Sequence, residues 1–412
     1  MLRSGHLKQW TRIVSYHMPH LSLPEVTGLA TWSFGMVMTG SSSVTKISEF
    51  ISRLNQEKSN TVRQRLKEWY QNADSKKGKK RSELDVTKCF VPLLKWILSM
   101  WKSEEKQLTL AMDATNIRQN FTVLSLHVLY QGCGIPVAWK IVKGTEKGSW
   151  KPHWRNLFQS LFDAIPSDWR VIVLADRGLY ADWLFNDICA LNWHPFLRIN
   201  QQGTFQIKGE KEWRFLDTVV PQKDMSWSGI VTCFKTNPLD CTLLARWESN
   251  YKEPWLIITD LKPEQADILW YGLRIGIESS YRDIKSDGWQ WHKTRLTDPK
   301  RAERLWLAIA VATLWTVTVG GSPVGVGFDP TKLVNPEGDI NQQPPENSTS
   351  QLPANHVEKK ATTAKKTSRH ISCFLQGLLT IIADLLNGKA ISLNGLFPEP
   401  RVLLNPATVN SS

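Results

Sequence analysis

The 412 residues contain no CxxC pair and no close grouping of cysteine with histidine. Cys89, Cys133, Cys189, Cys233, Cys241 and Cys373 are scattered along the chain, which argues against a zinc finger and against a disulfide framework. A signal peptide is also missing from the opening MLRSGHLKQWTRIVSYHMPHL, where polar residues and histidines interrupt any apolar stretch. The one suspicious apolar stretch, LWLAIAVATLWTVTV at 305–319, falls short of the roughly 18 residues of a membrane span and reads as a buried core helix. The expectation is a soluble, intracellular protein.

What is present is a 42% hydrophobic composition, which excludes disorder throughout, and enough length for about two to four structural units. Basic residues exceed acidic ones by 51 to 38, a formal charge of +13 that favours polyanionic partners, and there are 20 tryptophans. The excess is uneven: residues 1–108 carry a net +9, residues 109–319 a net +3 and residues 320–412 a net +1. A separate, DNA-facing helical domain is therefore expected over 1–107. Val44, Ile47, Phe50, Ile51 and Leu54, then Val62, Leu66 and Trp69, follow helical spacing there. The run SKKGKKR at 75–81 reads as a loop whose Lys76, Lys77, Lys79, Lys80 and Arg81 either form a solvated face or contact phosphate.

From residue 108 the pattern turns to strands. LTLAMD, FTVLSLHVLYQG and IPVAWKIV, with QGCG as a turn, predict an antiparallel meander. A helix around 150–162, the strand RVIVLAD and a helix over 180–191 complete the order of a mixed α/β sheet. Short strands over 193–260 (FLRIN, TFQIK, GIVTCFK, CTLLARW, PWLIITD) predict a β-rich insertion, after which helical character returns over 261–319. The stretch 320–369 has a linker's composition, and 370–412 holds an amphipathic helix, a candidate for dimerisation.

Asp113 closes one apolar strand and Asp176 another, a common site position in open α/β sheets. On neighbouring strands the two carboxylates would repel unless a cation lay between them, and oxygen-only ligation suits Mg²⁺ or Mn²⁺. Either residue alone could equally cap a turn. A third acid is expected on a helix. In YGLRIGIESSYRDIK, Tyr271, Arg274, Glu278 and Lys285 fall on one helical stripe, which suits a metal-binding carboxylate flanked by cations for a phosphodiester, or an ordinary salt-bridged face. Asn116 and Arg177, just beyond the two aspartates, could orient ligands or serve turns, His292 is a possible DNA contact, and His153 and His194 read as structural.

The pattern Y-x(2)-R-x(3)-E-x(6)-K resembles the YREK signature of DDE-class bacterial transposases of the insertion sequence 4 family. Asp113 (in DATN) and Asp176 (in ADRG) precede it in the required order, and the 176–278 interval holds the β-rich segment that this family places there. The resemblance covers about residues 100–320. It implies a ribonuclease-H-like mixed-sheet core in which Asp113, Asp176 and Glu278 hold two Mg²⁺ or Mn²⁺ ions. The implied chemistry is phosphoryl transfer: water cuts at the transposon end and the freed 3′ hydroxyl attacks a new phosphodiester. Tyr271, Arg274 and Lys285 would contact DNA phosphate, and Trp255, with Trp247 as fallback, would stack on a flipped base unless it is buried in the β core. The implied partners are terminal inverted repeats, target DNA and a second copy in a paired-end complex, in the bacterial cytoplasm at the nucleoid. Two other readings are an inhibitory relative that binds DNA without transposing and a carboxylate-pair glycosidase; the basic N-terminal part and the flanking Arg and Lys disfavour the glycosidase.

Overall fold

A computed structural model describes residues 4–76, 82–321, 371–393 and 395–398. Five helices come first: α1 (Ser4–His17), α2 (Leu23–Thr39), α3 (Val44–Asn55), α4 (Ser59–Tyr70) and α5 (Thr87–Ser99). Their ends follow local chemistry. At the start of α2 the Glu25 carboxylate accepts the Ser22 N–H at 2.9 Å, and Pro24 occupies the first turn, where no amide partner is required. Gly40 ends that helix in the left-handed conformation, at φ 55°.

The remainder runs β1 (Gln107–Ile117), β2 (Phe121–Tyr130), β3 (Cys133–Lys143), α6 (Lys151–Phe162), β4 (Arg170–Ala175), α7 (Asp182–Cys189) and β5 (His194–Arg198). Then come β6 (Thr204–Ile207), β7 (Trp213–Phe215), β8 (Met225–Cys233), β9 (Leu239–Trp247), β10 (Trp255–Thr259), α8 (Ile275–Arg282), α9 (Pro299–Gly320) and α10 (Cys373–Leu386). The expected meander is present, β2 lying antiparallel between β1 and β3. β4 pairs parallel with β1 and with β5, which makes the sheet mixed.

The strands of 193–260 do not form a body of their own. They extend the same sheet in the order β3-β2-β1-β4-β5-β10-β9-β8-β6-β7, because β10 pairs with β5 (Ile257 opposite Arg198) and satisfies an edge that would otherwise be bare.

The N-terminal helices likewise share the core of the sheet. One hydrophobic cluster runs from Leu7 to Leu396, and Trp10 stacks on Trp315 with ring centroids 4.1 Å apart. The cause lies in α9, which is apolar around its whole circumference and needs cover on every side. This helix is long and apolar enough to cross a membrane, yet 89% of its apolar window is buried within the protein, as a core helix requires. Part of the cover is α10, whose Phe374, Leu378, Ile381 and Leu385 are buried while Leu375, Leu379 and Leu386 are exposed. Backbones meet closely there: a Cβ on Gly377 would lie 1.8 Å from the Thr316 carbonyl oxygen, and one on Gly320 1.9 Å from that of Cys373. Of the expected linker over 320–369, residues 322–369 lie outside the described residues, as do Lys77, Lys79, Lys80 and Arg81.

Candidate active site

The parallel register of β1 and β4 sets Ala111 opposite Leu174, so two positions further on Asp113 comes opposite Asp176. Asp113 does not end its strand, as the sequence suggests. β1 continues to Ile117 because β2 outlasts β4 as a partner, with Asp113 opposite Ser125. Asp176 follows β4 directly and caps a short turn, its Oδ1 accepting the Arg177 N–H at 2.8 Å. The Oδ1 of Asp113 accepts the Ala114 N–H at 2.8 Å, so each side chain is aimed by its own next amide.

The signature segment is not one regular helix. Tyr271 and Arg274 belong to a 3₁₀ turn (Ile268–Arg274), Glu278 to α8, and Lys285 to a π turn (Asp283–Asp287). Pitch therefore tightens, relaxes and widens along one stripe, which re-aims its two ends. The Tyr271 hydroxyl reaches Asp176 Oδ1 at 3.4 Å, and Lys285 Nζ donates to Thr115 Oγ1 at 2.6 Å. Gly276 permits the approach of α8 to the sheet, since a Cβ there would lie 2.8 Å from the Cys133 carbonyl oxygen.

Arg274 joins the carboxylates. Its guanidinium pairs with Glu278 and lies 3.4 Å from Asp176 Oδ2, while its side chain is only 11% exposed. Burial works against its charge, but Tyr271, Asp176, Glu278 and Asp113 together push its pKa up. Asp113 is raised chiefly by burial; Arg274 and the Ala114 N–H lower it, and Asp176 and Glu278 add repulsion. Lys285 is lowered by burial and partly restored by Asp113. Burial raises the Tyr271 hydroxyl well above its ordinary value, so it stays a proton donor at neutral pH.

Trp255 opens β10 half-buried, in edge contact with Tyr271 at 5.3 Å and beside Tyr251 at 5.1 Å. Trp247 donates to the Tyr251 carbonyl and lies one strand away. Lys76 Nζ donates to the Ser82 carbonyl at 2.6 Å. Asn116 accepts from Thr122 and Arg177 pairs with Glu253 at 2.6 Å. His292 Nδ1 contacts the Lys285 carbonyl, His153 pairs with Glu146, and His194 pairs with Asp260 at 2.9 Å. The sequence reading missed Thr115, which anchors Lys285, and Arg198, which bonds Tyr271. Their signals were slight: a threonine two residues after Asp113 and a lone arginine ending FLR.

The donor set is three hard carboxylates, partly open to solvent, around a repulsive centre whose charge is offset by one buried arginine, which fits a divalent cation of the Mg²⁺ or Mn²⁺ kind. Among the described residues no three His, Cys, Asp or Glu are grouped tightly enough to enclose an ion, Arg274 lying between Asp176 and Glu278.

No curated protein matches the sequence. The piggyBac transposase synaptic complex with hairpin DNA, a cryo-EM structure, is 10% identical over 75% of this chain and 73% of that one, with a TM-score of 0.31. Residues 104–315, which contain both aspartates and the whole signature segment, match the family described as transposase DDE domain. With half the chain inside that match, the chain belongs to the DDE transposase family.

Proposed function

We propose that this transposase is of the YREK class of the insertion sequence 4 family, that its core is ribonuclease-H-like, and that it cuts and joins DNA at the inverted repeats of its own element by cut-and-paste. The observation that supports this best is the meeting of Asp113, Asp176 and Glu278 around Arg274, from two adjacent parallel strands and one helix. Asp113, Asp176 and Glu278 would hold two Mg²⁺ or Mn²⁺ ions, and such ions would supply charge neutralisation at the phosphodiester and a more acidic water. Arg274, once Glu278 turns to that duty, offers its N–H groups to phosphate oxygens. Tyr271 donates from a hydroxyl that stays protonated, and Lys285 presents its ammonium beside Asp113 from its anchor on Thr115. Trp255, half-buried beside Tyr271 and Tyr251, would stack on a displaced base, an interaction worth about 1 to 3 kcal/mol. The partners are terminal-repeat and target DNA and a second copy of the chain, in the bacterial cytoplasm.

Incubating the protein with DNA that carries its element's terminal repeats, with and without Mg²⁺, tests the proposal. Metal-dependent strand cleavage at the repeat ends is expected. Binding without cleavage under any metal condition would favour a DNA-binding inhibitor instead.

A further inference from the structure

In the middle of strand β2, Ser125 and His127 interrupt an apolar run, and both are fully buried. Ser125 Oγ lies 2.9 Å from His127 Nε2 and 2.8 Å from the hydroxyl of Tyr281, itself 5% exposed. The Tyr281 hydroxyl lies 2.9 Å from the main-chain carbonyl oxygen of Asp113. A carbonyl can only accept, so the single tyrosine proton is committed to Asp113. Ser125 must then donate to Tyr281, and His127 must donate to Ser125 from a protonated Nε2. Burial lowers the His127 pKa to about 3, against a raising contact with the Gly134 backbone, which keeps the ring neutral at neutral pH; the direction of the chain is set by the Asp113 carbonyl at its end. Gly134 gives the room: a Cβ there would lie 3.0 Å from His127 Nδ1 and 3.1 Å from the Gly276 carbonyl oxygen.

We propose that His127, Ser125 and Tyr281 form a one-way hydrogen-bonded brace that fixes the backbone at Asp113 and ties it to the helix carrying Glu278. Tyr281 sits one turn beyond Glu278 on α8, and Ser125 is the direct cross-strand neighbour of Asp113. The brace thus links the two elements that present those carboxylates. Tyr281 and Ser125 are positioning residues: they touch no substrate and act through Asp113. The inference rests on the proposed role of Asp113 and Glu278 as metal ligands.

The test uses the full chain and Mn²⁺ alone as probe. In Tyr281→Phe the ring stays and the proton goes, so the melting temperature and DNA affinity are expected to hold. Mn²⁺ affinity measured by calorimetry, and the cleavage rate at saturating DNA, should each fall about tenfold or more, the usual cost of losing a group that orients a metal ligand. Ser125→Ala should reproduce both losses, Ser125→Thr should restore them, and the double variant Ser125→Ala/Tyr281→Phe should lose little more than either single one. Equal Mn²⁺ affinity and cleavage in wild type and Tyr281→Phe would overturn the brace alone. So would losses that track a matching fall in melting temperature across all these variants, since the residues would then be ordinary packing. A wild-type protein that neither binds Mn²⁺ nor cleaves would instead remove the reading of the site, and the brace with it.

Discussion

Each proposed ligand carries a distinct expectation. Asp113→Asn, Asp176→Asn and Glu278→Gln keep shape and remove charge, so terminal-repeat binding should persist while Mg²⁺-dependent cleavage falls to background in all three. Gel-shift and nicking assays on the same preparations check this, and a variant that still cuts at the wild-type rate would exclude that residue from the metal set. Asp283, buried in the π turn, differs: burial pushes its carboxyl up to about 7, Arg282 lowers it and Asp287 raises it. The folded state therefore favours the protonated form. The stability this gives is complete below the ordinary carboxylate range and is lost as pH rises through about 7, on the order of 4 kcal/mol between the extremes. Melting temperatures at pH 5 and pH 8 should diverge for wild type and converge for Asp283→Asn; the same pH dependence in both would show that the loss arises elsewhere.

At the level of elements, the contact between α9 and α10 gives a prediction opposed to helix propensity. Alanine in a helix interior is normally favoured over glycine by about 1 kcal/mol, yet Gly377→Ala drives a methyl into the Thr316 carbonyl and should destabilise by about 1 to 3 kcal/mol. Denaturant unfolding decides the sign. Trp255→Ala should impair hairpin formation more than first nicking, since stacking serves the displaced base; equal defects in both steps would leave the residue a packing role against Tyr271 and Tyr251.

Elements were also where sequence was most and least informative. Asp113 and Asp176 could be found because each follows an apolar run that only a buried strand explains, and the signature spacing survived because three helix pitches drift little over fourteen residues. The pairing of β5 with β10 left no local mark, since it joins segments about sixty residues apart through backbone atoms common to every residue. Ser125 and His127 were hidden for a related reason: alternate polar residues in a strand look solvent-facing until another element is seen to cover them.

For the whole molecule, charge and architecture divide differently. The net +9 of residues 1–108 suggests a detached basic module, but helices α1 and α2 pack with α5 and α9 in the common core, so the described helices of that stretch belong to a shared body. DNA affinity should fall steeply with salt, with a log–log slope of about 0.9 for each phosphate contacted. Replacing Lys76, Lys77, Lys79, Lys80 and Arg81 by glutamine should flatten that slope in filter-binding titrations, and an unchanged slope would place the phosphate contacts elsewhere. Most tryptophans serve as filling, with Trp10, Trp32, Trp96, Trp139, Trp289, Trp291, Trp306 and Trp315 almost wholly buried.

The unbroken sheet also makes the protein a ruler. β1, β4, β5 and β10 are successive neighbours, so the strands carrying Asp113 and Trp255 stand three spacings apart, about 14 Å at the usual inter-strand distance. In units of stacked nucleic acid this is roughly four steps at about 3.4 Å each. A base held on Trp255 and a phosphodiester held at Asp113 would then be separated by a length set by hydrogen-bonded backbone, which side-chain substitution on the intervening strands can re-texture but not rescale.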